Sequence, residues 1–361
     1  MRRTIARVVL TAVVLTSCDV PTAVPNWDMT WNFPATSTTI TVNSILPNGI
    51  SLTPTGAAFQ ATVNSVSITR TLSQDCPTCA NGVPAPKPAF SSSTTSPAAS
   101  LPTGVSLATL VTDTVYVTIV NRYQFDPINP GGGTGGSMTF VVSSGAATLG
   151  TLTISGPTSS IPPNGATTTI KIPVAGTVSS AGVSLRVDVN SPQGSTITLT
   201  NPANQQITYT IRIGGSAQGP VIASSASVTL TNQPVRPNPV DYKIDFGSAD
   251  KADSALVFFT LNNPFTVSGT LNVNFLGCTD GNGNFFDSCQ TLTTLVSRQV
   301  PVTSGTTTVT LHFGTPATKA LLNAKQISFG GIVSGTTAIT PKQVVDVSSR
   351  FQLTMHTGSS Q

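Results

Sequence analysis

The sequence predicts an all-β protein of two tandem antiparallel sandwiches, and three observations predict it. All 13 acidic residues are Asp and none is Glu, in a chain rich in Thr, Ser, Val and Gly; Glu favours helices, whereas Thr and Val suit a pleated strand. Apolar and polar residues alternate with period two: Val183, Leu185, Val187 and Val189 with Ser184, Arg186 and Asp188; Ile207, Tyr209, Ile211 and Ile213 with Thr208, Thr210 and Arg212; Leu271, Val273 and Phe275 with Asn272 and Asn274. That pattern buries one face of a strand and wets the other, as in sheets packed face to face. The third observation is a repeat. Asp113 to Phe125 matches Asp253 to Phe265 at a spacing of 140, with Asn121 set against Asn262; Thr167 to Ile172 matches Thr306 to Leu311 at 139, and the strands ending at Ile213 and Met355 lie 142 apart. Landmarks at one spacing indicate two copies of a single unit.

The chain begins with an address. Arg2, Arg3 and Arg7 precede an apolar run from Val8 to Thr16, and Leu15-Thr16-Ser17-Cys18 closes it with small residues before a cysteine. About ten apolar residues is half of what a bilayer-spanning helix needs. The tetrapeptide resembles the lipobox of bacterial lipoproteins. That resemblance implies removal of residues 1–17 as a signal peptide, a diacylglyceryl group on the Cys18 thiol and a place in the cell envelope, anchored by lipid to a membrane. Without the three leader arginines, the 17 basic residues fall to 14 against 13 acidic, and this near-neutral balance implies no nucleic-acid partner.

Residues 18–45 read as a lipidated tether and first strand. Pro21, Pro25 and Pro34 keep it extended, and Trp27, Trp31 and Phe33 form the densest aromatic cluster. These rings are expected in the core of the first sandwich, the alternative being an interfacial belt beside the lipid. The first unit spans 46–214, with a Pro- and Ser-rich insert at 73–100 that carries Cys76 and Cys79. A redox pair there would open a helix in a βαβ setting; Pro77, Pro84, Pro86 and Pro88 surround it instead, so a disulfide that staples a loop is expected. Gly131 to Gly136 reads as a flexible hairpin loop, since it precedes a strand and lacks the Lys of a phosphate loop. A linker from Gly214 to Gly219 leads to the second unit, 219–357.

In that unit, Cys278 and Cys289 are expected to form a second disulfide across a hairpin tip rich in Asp-Gly and Asn-Gly turn signals. Asp280, Asn282 and Asn284 reproduce the alternating oxygens that open an EF-hand loop, and Asp287 adds a carboxylate, so this is the candidate calcium site. Phe285 stands where that loop requires Gly, and Thr291 where it requires Glu. One helix is expected near Pro316 to Gln326.

A strand followed by Asn-x-x-x-Phe, as at Asn121 to Phe125, resembles the strand-to-turn corner of immunoglobulin-like sandwiches in bacterial surface proteins. The resemblance implies an immunoglobulin-like fold for both units and brings no functional residues with it. Neither His312 nor His356 lies in a catalytic pattern, and no Gly-x-Ser-x-Gly, HExxH or phosphate-loop motif occurs. The expected function is a non-catalytic binding or structural module, with no cofactor unless calcium binds, and with an envelope protein or glycan as partner. The alternatives are a hydrolase of envelope glycans using paired Asp residues and a calcium-dependent carbohydrate-binding module.

Overall fold

The computed structural model describes residues 27–132, 135–214, 221–242, 252–280, 282 and 284–357. The leader, Cys18, the linker residues 215–219 and the side chain of His356 lie outside the described residues. The chain is all-β, and every strand pairing is antiparallel.

In chain order, β1 (Trp27–Thr41) is followed by a 3-10 turn and the small hairpin of β2 (Ile50–Leu52) and β3 (Phe59–Ala61). Next come β4 (Val66–Thr71), the one-turn helix α1 (Leu72–Asp75), β5 (Pro84–Pro86), β6 (Phe90–Thr95) and the long β7 (Val105–Asn121). Then follow β8 (Ser137–Ser144), β9 (Ala147–Ser155), β10 (Ala166–Ser179), β11 (Ser184–Ser191), β12 (Thr196–Thr198) and β13 (Gln206–Gly214). The C-terminal part holds β14 (Val221–Asp241), β15 (Ala252–Asn263), β16 (Ser268–Thr279), β17 (Phe285–Phe286), β18 (Thr293–Val302), β19 (Gly305–Phe313), α2 (Thr315–Leu322), β20 (Gln326–Ile339) and β21 (Val344–Thr357). Helix α2 falls where Pro316 signals a first turn, because a missing N–H costs nothing there.

These strands enclose two hydrophobic cores. The N-terminal core lies between the order β4-β13-β7-β10 and the order β6-β11-β8-β9. The C-terminal core lies between β1-β21-β15-β19 and β14-β20-β16-β18. Numbering the eight strands of either sandwich along the chain gives the same two sheets, 1-8-3-6 and 2-7-4-5. This is a jelly roll, an eight-stranded double Greek key. It corrects the immunoglobulin-like expectation, whose sheets run A-B-E-D and C-F-G. The Asn-x-x-x-Phe corner is a local device that either topology accommodates, so it could not decide strand order.

The corner nevertheless recurs in both sandwiches. The buried Asn121 donates through Nδ2 to the carbonyls of Phe125 (3.1 Å) and Ile161 (2.9 Å), and its Oδ1 accepts from the Tyr123 N–H. The buried Asn263 donates to Val267 (3.3 Å) and Thr303 (3.0 Å) and accepts from Phe265. Asn121 therefore corresponds to Asn263, not to Asn262, and Tyr123, not Phe125, corresponds to Phe265. The corner lies one residue beyond the matched Asn and two before the matched Phe125, while the match of Thr167 with Thr306 holds, since Ala166 lies opposite Asn121 and Gly305 opposite Asn263.

Two other expectations change. Strand β1 pairs along its length with β21, from Trp27 opposite Thr357 to Thr41 opposite Val344, so it belongs to the C-terminal sandwich. Phe33 packs against that core, while Trp31 is 47% exposed. The N-terminal sandwich is thus inserted between the first and second strands of the C-terminal one. The segment read as an insert at 73–100 also supplies β6, an integral strand paired with β11.

The sandwiches are joined through their sheets. Ala108 and Leu110 at the start of β7 pair with Ala226 and Ala223 at the start of β14, which then turns into the C-terminal sandwich to pair with β20. Asp113 sits at this seam, where β13 ends opposite Thr114 and β14 begins.

Candidate functional site

A concavity opens between β1 and β14, the edge strands on one side of the C-terminal sandwich. Along β1 the residues from Phe33 to Thr36 face only Phe351 to Ser349 of β21, so one extra residue bulges out at Pro34-Ala35. Proline has no N–H for a ladder and is tolerated at such an edge bulge. The bulge leaves a cleft of about 650 Å³, within the range of small-molecule sites. Phe33, Val240, Ile327, Phe329, Val347 and Phe351 supply its apolar wall.

Tyr242, at the end of β14, is its most unusual lining residue. The side chain is buried, with its ring 5.2 Å from that of Phe351 and 5.7 Å from that of Phe275. Its hydroxyl is closed to solvent and has no hydrogen-bond partner. Burial pushes the phenol well above its ordinary range, so it remains a donor at neutral pH. An orphaned buried hydroxyl costs about 1–3 kcal/mol. At the rim, the exposed Asp241 accepts from Gln326 Nε2 at 3.1 Å, and the hydroxyls of Thr36 and Ser349 bond to each other at 2.9 Å.

The cysteines form the two expected disulfides. Cys76 and Cys79 join directly after α1, with Cα atoms 5.4 Å apart and both side chains buried. Cys278 and Cys289 join at 5.6 Å and close a hairpin tip in which β17 pairs with β16. Within that tip, Asp280 Oδ1 accepts from the N–H groups of Asn282 (2.8 Å) and Asn284 (3.1 Å), and Oδ2 accepts from Asn284 Nδ2. The Asn284 amide and these backbone donors hold the Asp280 carboxyl below its usual range. Asp287 is fully exposed, 3.5 Å from Lys325 Nζ. Asp280 thus directs both oxygens at donors of its own loop, and a cation there would have to displace those bonds. Among the described residues no three His, Cys, Asp or Glu side chains group as metal ligands do.

Other buried ionisable groups have structural partners. Asp75 accepts from Arg70 Nε at 3.0 Å and from the Tyr123 hydroxyl at 2.8 Å. Asp126 accepts from the N–H groups of Ile128, Asn129 and Ile161 and from the Ser160 hydroxyl. Lys87 is 1% exposed; its ammonium donates to Ser191 Oγ at 2.6 Å and to the Pro192 carbonyl, over the rings of Phe90 and Phe125. Sequence reasoning missed both Lys87 and the cleft. A lysine among prolines reads as solvated, whereas Pro34 inside a Thr-rich strand was a usable sign of a bulge.

No family model matches this chain, and no curated protein matches it by sequence. Among solved structures, a protein of Parabacteroides distasonis designated as secreted is similar at 10% identity, covering 91% of this chain and all of its own, with a TM-score of 0.32. The structure of the infectious bursal disease virus Gx strain is similar at 12% identity over 95% of this chain and 75% of its own, with a TM-score of 0.20. Among the described residues no helix is long and apolar enough to cross a membrane.

Proposed function

We propose that this chain is a lipid-anchored protein of the bacterial cell envelope, cut before Cys18, whose double sandwich serves as a non-catalytic binding and structural module. The observation that carries this reading is the placement of β1. It begins nine residues after Cys18, a tether of at most about 30 Å, and is then paired with the last strand of the protein. Tension from an anchor would load that ladder in shear, across many hydrogen bonds at once, rather than peel them one by one. Met29 and Trp31, 42% and 47% exposed on the same face of β1, sit close to the anchor, where a headgroup layer would accept them.

Replacing Cys18 by Ser is expected to leave the precursor uncleaved and to release no membrane-bound mature form, as read by intact-mass analysis of the exported protein. An unmodified N-terminus at another position in the native protein would overturn the anchor.

A further inference from the structure

We propose that the outer face of the β1-β21-β15 sheet binds a neutral sugar unit of a glycan, recognised by Asp346, Asn262, Thr260, Ser348 and Ser37. This names a partner class for the binding module and rests on the binding half of that reading; it holds whether or not Cys18 carries lipid.

The two sandwiches differ at this face, although the strands that build it are equivalent. In the N-terminal copy, outward hydroxyls opposed across β4 and β13 bond to each other, Ser67 with Thr210 at 2.9 Å and Thr69 with Thr208 at 3.0 Å. Aligned on the shared Asn corner, Ser37 and Ser348 occupy the places of Ser67 and Thr210, and Thr39 and Asp346 those of Thr69 and Thr208. Asn262 opposes Asp346 where the N-terminal copy sets the apolar Val120 opposite Thr208, and Thr260 opposes Ser348. Among the described residues, none of the side chains of Ser37, Thr260, Asn262, Asp346 and Ser348 has a hydrogen-bond or ion-pair partner. These groups line a depression of about 450 Å³, within the range of small-molecule sites.

The lining selects the ligand by its mix of donors and acceptors. A carboxylate only accepts, an amide donates from one atom and accepts at another, and a hydroxyl does either. Adjacent hydroxyls of a sugar ring, each donor and acceptor at once, satisfy all three kinds, with Asp346 accepting from two of them. Asp346 is the one charged side chain in the described lining, so a negative charge on the ligand meets a like charge there. Phe258, the next outward residue of β15 beyond Thr260, lies under the Arg350 guanidinium, 4.6 Å from its ring centroid, so that face of the ring is already covered. Recognition therefore rests on hydrogen bonds made in competition with water, and affinity for a single disaccharide should be millimolar.

The test uses the mature chain carrying Cys18→Ser, exported through a leader without a lipobox so that both disulfides form. Saturation-transfer NMR titrations with cellobiose, maltose, lactose and N,N′-diacetylchitobiose sample different hydroxyl arrangements, and the hyaluronan disaccharide adds one carboxylate. Saturable millimolar binding of at least one neutral disaccharide is expected, unaffected by EDTA. Asp346→Ala should weaken it about tenfold or more, and Asn262→Ala about fivefold. Both side chains are exposed, so the fold of each variant should be intact. Thr210→Ala, at the equivalent place of Ser348 in the other sandwich, should change nothing. No saturable binding of any neutral disaccharide, affinity unchanged in both Asp346→Ala and Asn262→Ala, tighter binding of the charged disaccharide, or loss of binding with EDTA would each overturn the proposal. The bound sugar should emerge uncleaved; cleavage with binding retained would overturn the non-catalytic reading and leave this site standing.

Discussion

In the N-terminal sandwich, the connection from first to second strand is residues 72–89, and it folds back over the edge between β4 and β6. Leu72, Cys76 and Cys79 are buried there, Asp75 ties α1 to Arg70 and Tyr123, and Lys87 reaches inward under Phe90. In the C-terminal sandwich the same connection, from β1 to β14, is the entire N-terminal sandwich. The start of that connection caps only part of the edge, where Val42, Ile45 and Leu46 are buried and Gln233 of β14 donates to the Leu46 carbonyl, and the cleft of about 650 Å³ lies at the rest of it, beside Phe33 and Tyr242. Identical topology therefore yields a sealed edge in one copy and a partly open one in the other. The length and content of a single connection make the difference, which is why sites so often arise where loops vary on a constant scaffold.

The largest expected effect tests the shared part of this comparison. Asn121→Ala and Asn263→Ala each remove a buried side chain holding two carbonyls and one N–H, and each should cost about 3 kcal/mol in denaturant unfolding. Similar losses would confirm that the corners are equivalent. A loss at only one would show that one corner is held by its surroundings instead.

How far the comparison could have been read without coordinates varies by element. Strands such as β11, β13 and β16 were legible because period-two alternation is a local property, and their apolar residues are buried as expected. The repeat was legible for the same reason, although the adjacent Asn262 and Asn263 offer the same residue twice and so hid which of them holds the corner. Strand order was not legible. Trp27 meets Thr357 across the whole length of the chain, and neither segment carries a mark of its partner. The same holds for Tyr242, whose orphaned hydroxyl arises from packing contributed by β14, β16 and β21. Both disulfides followed from short spacing, while the metal-like pattern at Asp280 to Asn284 is equally the pattern of a tight turn, and in the structure Asp280 is spent on that turn.

A smaller effect sharpens the description of the sealed edge. Burial holds the Lys87 ammonium down to about 8 from its ordinary 10.5. From about pH 8 upward the unfolded chain keeps this proton while the folded one loses it, so stability should rise with pH in that window. The rise should be on the order of 1 kcal/mol by pH 10. Above that, Tyr123, Tyr209 and Tyr242, whose phenols burial raises, act in the opposite sense. Lys87→Met should abolish the rise between pH 8 and 10. If chemical denaturation shows the same slope in both proteins, Lys87 is not the sealing group described.

The smallest effect lies at the seam between the sandwiches. Asp113 is 1% exposed; Oδ2 accepts from the Ile222 N–H at 3.0 Å, where β14 begins, and Oδ1 has no partner. Burial raises its carboxyl above the ordinary 3.8, against the pull of the Ile222 and Thr114 N–H groups. With a raised folded value, the folded chain holds the proton more tightly than the unfolded one, so this group's contribution is complete below about pH 4 and is lost as pH rises through the folded value. Asp113→Asn keeps an acceptor for Ile222 and removes the charge, but leaves its own amide unpaired, so the net gain should stay below about 1 kcal/mol. The two proteins should match below pH 4 and diverge above it, with the variant the more stable at pH 7. Every other carboxyl is common to both, so the difference in their unfolding profiles isolates this one group. A constant offset across the whole range would mean that Asp113 binds its proton alike in the folded and unfolded chains, and that burial at the seam does not raise its carboxyl.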